Sequence, residues 1–152
     1  MFEGGLMEAW LALGILAALC YGASSVVAKV ATSPDHYGMS TATASLLMLV
    51  GIALVFAAYL ALKGGLNIPP NPVVLGVGVL VGVLWAMGMV LSFLALSGNA
   101  DIARLAPIYN MNTLVAVALG IILLGELPSQ PQMIRVVIGA ILIVVGGILV
   151  SI

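Results

Sequence analysis

Residues 73–97 read VVLGVGVLVGVLWAMGMVLSFLALS, an unbroken run without Asp, Glu, Lys, Arg, Asn, Gln or His. As a helix rising 1.5 Å per residue, this run is about 37 Å long. The hydrocarbon core of a bilayer is roughly 30 Å thick. Four further apolar stretches accompany it, at about residues 10–29, 40–62, 102–124 and 133–152. The chain is 64% hydrophobic and only 6% charged, with a mean hydropathy of +1.34. It lacks the polar surface that a water-soluble globule needs. In lipid the backbone must satisfy its own hydrogen bonds, which favours helices over open strands. The predicted class is therefore all-α integral membrane, a five-helix transmembrane bundle.

Five spans in 152 residues leave room only for short connectors, so a single membrane domain over residues 1–152 is expected. A formal charge of −1 with scattered basic residues argues against a nucleic-acid partner. Cys20 is the sole cysteine, so no disulfide forms within the chain, and inside a span it reads as a small apolar side chain. Residues 1–9 hold Glu3 and Glu8 but no Lys or Arg, unlike the basic start of a cleavable signal peptide. The first apolar stretch is read as a retained helix.

Local chemistry marks the breaks between spans. Ser33-Pro34-Asp35-His36-Tyr37-Gly38 is a turn-rich link. Lys63-Gly64-Gly65 predicts a helix end, since glycine tolerates the left-handed cap. Pro69, Pro70 and Pro72 then forbid helix until Asn71 or Pro72 starts the third span. Asn99 or Asp101 is placed to cap the fourth helix, Gly125-Glu126-Leu127-Pro128 to end it, and Ser129 with Gln132 to form a capping box for the fifth, with Pro131 in its first turn.

Alternating crossings put Lys29 and Arg104 on one face of the membrane and Lys63 and Arg135 on the other. The positive-inside rule counts these residues near span ends, and a tie of two against two gives little orienting instruction. Dual topology, with oppositely inserted copies pairing head to tail, is one explanation; a single orientation set by subtle features or by a partner is the other. Two inverted five-helix copies would reproduce the inverted-repeat plan of many transporters.

Phe93-Leu94-Ala95-Leu96-Ser97, then Ala106-Pro107, Leu123-Leu124-Gly125-Glu126 and residues 138–147 (IGAILIVVGG) together resemble one EamA-type repeat of the drug/metabolite transporter superfamily. The resemblance implies half of a ten-helix inverted-repeat transporter, completed by a second copy of this chain or a paralogous five-helix chain. It also implies a multi-pass protein of the cell membrane that moves a metabolite, amino-acid-like compound or drug by alternating access, without a cofactor. Small multidrug-resistance relatives carry a membrane-embedded Glu in their first helix. Ile15-Leu16-Ala17-Ala18-Leu19-Cys20 has no acid, so the resemblance does not carry their proton-for-cation exchange to this chain.

Polar groups within a span are costly and therefore informative. The fourth span holds the densest set, Tyr109, Asn110, Asn112 and Thr113, just after Pro107. Proline has no N–H for the carbonyl four residues back and kinks a helix, making Pro107 a candidate hinge. The four polar residues are expected to line a solute route; the competing reading is that they bond between helices and hold the bundle together. On the third span Gly78, Gly82, Trp85, Met89 and Ser92 share one face. Gly78 and Gly82 suit helix packing, while Trp85 and Met89 offer an adaptable wall to an organic solute or belong to the bundle core.

Tyr21, Ser24 and Ser25 are further solute-binding candidates on the first span, although mid-span hydroxyls often bond back to their own helix. Lys29 reads as a boundary residue reaching toward the headgroups. Gly139, Gly146 and Gly147 offer the fifth span a contact with another helix or subunit. No catalytic constellation, metal-ligand cluster or phosphate loop is legible, so no enzyme and no metal is expected. The rival to a transporter is a non-transporting accessory subunit whose polar face is buried against a fixed neighbour.

Overall fold

The computed structural model describes residues 3–66, 68, 70–98, 100–125 and 130–151. The described residues are helical apart from their links: α1 (Glu3–Thr32), α2 (Thr41–Lys63), α3 (Pro72–Ser97), α4 (Ile102–Tyr109), α5 (Asn112–Leu124) and α6 (Gln130–Ser151). Five stretches are long and apolar enough to cross a membrane, with mean hydropathies from 1.8 for Ile102–Leu124 to 2.7 for Met133–Val150. Large apolar side chains face outward all along them, as Leu13 (67% exposed) and Val55 (69%) illustrate. In water that surface would be ruinous; in lipid it is the expected exterior.

The helix ends follow the local chemistry. Ser40 precedes α2, and its hydroxyl accepts the Thr43 N–H at 3.2 Å. Asn71 caps α3 by accepting the Val73 N–H at 2.9 Å, with Pro72 at the first helical position. Gly64 ends α2 at φ 76°, in the left-handed region that an L side chain enters only under strain. Gly125 ends α5 in the same region. Asp101 stands at the cap position of α4 but makes no side-chain capping bond; the N–H of Leu105 instead reaches its backbone carbonyl at 2.9 Å. Helix α1 also starts earlier than residue 10, and α6 starts at Gln130 with Pro131 in its first turn. Ser129 of the expected capping box, and Glu126, Leu127 and Pro128 of the expected helix end, lie outside the described residues.

The chain divides into two compact units, Met1–Asn99 and Ala100–Ile152. In the first, α1, α2 and α3 pack on one another. Their buried residues gather where α1 ends, α2 begins and α3 ends: Thr32, Ser33, Ala44, Phe93 and Leu96. The link between α1 and α2 folds back on α1, with the N–H groups of Tyr37 and Met39 donating to the carbonyls of Val30 and Ala31 at 3.3 and 2.8 Å. Those carbonyls are among the last four of a helix, which have no partner within it. Buried Thr32 donates its hydroxyl to the Ala28 carbonyl at 2.8 Å. In the second unit, α4 packs along α6.

Candidate functional site

The fourth span is two helices, not the continuous kinked one expected. Its chain turns at Asn110 (φ −68°, ψ −9°) and Met111 (φ −62°, ψ −8°). Across the turn the bonding tightens from four-residue to three-residue closure. The Asn110 N–H still reaches the Ala106 carbonyl at 3.0 Å, but Met111 donates to Ile108 at 3.2 Å, Thr113 to Asn110 at 3.2 Å and Leu114 to Met111 at 2.9 Å. Pro107 lies within α4, where its missing N–H leaves the Ala103 carbonyl without that bond a turn before the break. The Thr113 hydroxyl donates to the Asn110 carbonyl at 3.0 Å, offering the backbone an alternative to helix.

The break brings Pro107, Tyr109, Asn110, Asn112 and Thr113 to one place. Tyr109 ends α4 and is half-buried, whereas Asn110, Asn112 and Thr113 are exposed. Three-residue closure shifts the phase between α4 and α5, so these side chains do not follow the spacing of one continuous helix. Met111, which carried no polar signal, sits within the turn and packs against α6. A Cβ built on Gly147 would lie 3.3 Å from the Met111 sulfur and 3.8 Å from the Pro107 carbonyl oxygen.

The remaining candidates separate. In the first unit a groove of about 290 Å³ is walled by Ser24, Val27, Ala28, Ala31, Met39, Ala44, Leu47, Met48 and Phe93. Of the solute-binding candidates named from the sequence, Ser24 alone is in that wall. The Ser25 hydroxyl donates to the Tyr21 carbonyl at 2.9 Å, the back-bond anticipated for a mid-span serine. Tyr21 is 64% exposed, outside the wall of the groove. Trp85 is 44% exposed in mid-span and Met89 is half-buried on the same helix, both likewise outside that wall. The Ser92 hydroxyl donates to the Gly88 carbonyl at 3.0 Å. Gly78 and Gly82, expected to admit a close neighbour, have no described atom within 4 Å of a built Cβ, so no described helix of this chain nests there. Met39 and Met48 were silent in the sequence, and Phe93 entered only through the family resemblance, since an apolar residue in an apolar span announces no direction. Among the described residues no group of His, Cys, Asp and Glu could hold a metal ion.

The model of the EamA-like transporter family matches residues 8–152. The chain belongs to the EamA-like transporter family. An uncharacterized protein of Methanocaldococcus jannaschii is 31% identical over 147 residues, covering 96% of this chain and 98% of its own length. No solved structure matches. Membership in the EamA-like family, together with five apolar spans, makes this a multi-pass membrane protein and a transporter of small solutes.

Proposed function

We propose that two copies of this chain, inserted in opposite directions, form an alternating-access transporter in the cell membrane. The solute is a small organic molecule held at the break between α4 and α5. Asn110, Asn112 and Thr113 supply hydrogen bonds, Tyr109 a ring with a polar tip, and Pro107 the weakness that lets the two half-helices change angle. Trp85, Met89, Tyr21 and Ser24, all in the first unit, are proposed separately as solute-binding residues there; Ser25 has its hydroxyl committed to its own helix and ranks last among them. A paralogous five-helix chain could take the place of the second copy.

One observation carries this reading: an irregular, polar stretch lies roughly in the middle of a span and is exposed in the single chain. Exposed Asn side chains facing hydrocarbon are unfavourable. A second copy enclosing a wet cavity removes that difficulty. Broken helices at a repeat interface are the pattern by which many transporters bind substrate near the midplane. The two-against-two placement of Lys29, Arg104, Lys63 and Arg135 supports opposite insertion, and the archaeal relative shares the same one-repeat length.

The test uses single cysteines at Asn110 or Asn112 in a Cys20→Ser chain. A water-soluble thiol reagent should modify both in folded, lipid-embedded protein. Resistance at both positions means the break is sealed, and the solute site is rejected. Reporters fused to the C-terminus should appear on both sides of the membrane, and one Lys added to a connector should shift the ratio. A single orientation insensitive to that Lys rejects the antiparallel pair.

A further inference from the structure

Helix α6 carries three glycines on an otherwise aliphatic surface, and the structure separates them. Gly139 and Gly146 have no described atom within 4 Å of a built Cβ. Gly147 is buried, and its Cβ would meet the Met111 sulfur at 3.3 Å, the Met111 Cγ at 3.6 Å and the Pro107 carbonyl at 3.8 Å. The bare backbone of α6 therefore abuts the non-helical turn of the span beside it. The side chain that fills the contact belongs to Met111, which occupies the cap position of α5 without making a capping bond. Methionine has three rotatable bonds and a polarizable sulfur, so it can slide over a surface while keeping contact.

We infer that Gly147 and Met111 are positioning residues for transport: the Met111 thioether bears on the bare backbone at Gly147 and sets the angle between α4 and α5. Resting on the reading of the break as the solute site, this assigns that site a mechanical seat on α6. The seat determines how Asn110 and Asn112 are presented. A side chain at Gly147 presses on the Met111 thioether, which must yield by a few tenths of an ångström against a Cβ at 3.3 Å and so changes its bearing on α6. The same change at Gly139 meets open space.

Two readouts test this in lipid nanodiscs. With Cys20→Ser and Asn110→Cys in the same chain, the rate of modification by a water-soluble methanethiosulfonate should change about fivefold or more in Gly147→Ala. That is the scale expected when one methyl is forced into a filled contact. Gly139→Ala should leave the rate within about twofold, the scatter allowed to a surface change. Added to Met111→Ala, the Gly147 substitution should have no further effect, since the side chain it displaces is gone. The ¹³C-methyl resonance of Met111 should move in Gly147→Ala and stay in place in Gly139→Ala.

Equal effects of the two glycine substitutions, an undiminished Gly147 effect in Met111→Ala, or an unmoved Met111 resonance would each overturn the inference. General destabilisation would not disappear on removing Met111. If Gly147→Ala does not fold, Met111→Ala alone must change the modification rate of the Asn110→Cys thiol, and an unchanged rate overturns the inference. If that introduced thiol reacts in no variant, the solute-site reading falls and the methyl resonance alone decides the seat.

Discussion

Replacing Leu96 by Ala probes whether α1, α2 and α3 form a packed floor at one membrane face. Leu96 is 2% exposed, on the last turn of α3. In a soluble protein such a change costs about 3–5 kcal/mol, partly transfer from water and partly the cavity left behind. For a span that unfolds within lipid the transfer part, about 2 kcal/mol for a leucine, vanishes because lipid is as apolar as the core. The cavity part remains. If roughly 60 Å³ stays unfilled at about 24 cal/mol per Å³, the cost is about 1.5 kcal/mol.

The assay is SDS-driven unfolding in mixed micelles followed by tryptophan fluorescence, with Leu62→Ala as control. Leu62 is 88% exposed and should cost nothing measurable. A Leu96→Ala cost indistinguishable from that of Leu62→Ala would refute the packed floor. A cost above about 3 kcal/mol would restore the transfer term and refute unfolding within lipid.

Two further changes read the local chemistry. Ser40→Ala removes the acceptor for the Thr43 N–H and should destabilise by about 1 kcal/mol in the same titration, with Ser40→Gly losing only a few tenths. Thr113→Val keeps the shape but removes the hydroxyl bonded to the Asn110 carbonyl. It should cost little stability, because the Thr113 N–H still donates to the same carbonyl at 3.2 Å. It should also raise the reaction rate of a cysteine introduced at Asn112; an unchanged rate would mean that the hydroxyl does not hold the turn.

The features legible in the sequence are those that a one-dimensional property decides. Length and hydropathy give the membrane class and five spans, because a bilayer sets both the distance to cross and the solvent to face. Gly64, Asn71 and Pro72 announce their helix ends because each acts through its own backbone or a neighbour two residues away. Pro107 marks weakness in the fourth span, and its polar neighbours mark where to look. Asp101 shows the limit, since residue type places it at the cap but not its side chain on the N–H groups.

Only the tertiary structure decides which faces meet. Every side of α3 is apolar, so periodicity cannot distinguish a groove wall such as Phe93 from a lipid-facing residue such as Leu94. In water, the polar face of a helix would have made that distinction. Likewise, Gly139, Gly146 and Gly147 look alike as letters, yet of the three Gly147 alone has a described neighbour across the helix, because closeness between α6 and the Met111 turn depends on how two segments lie in space. Composition and spacing determined that this chain lives in lipid and where it crosses; packing decided what the break in the fourth crossing rests upon.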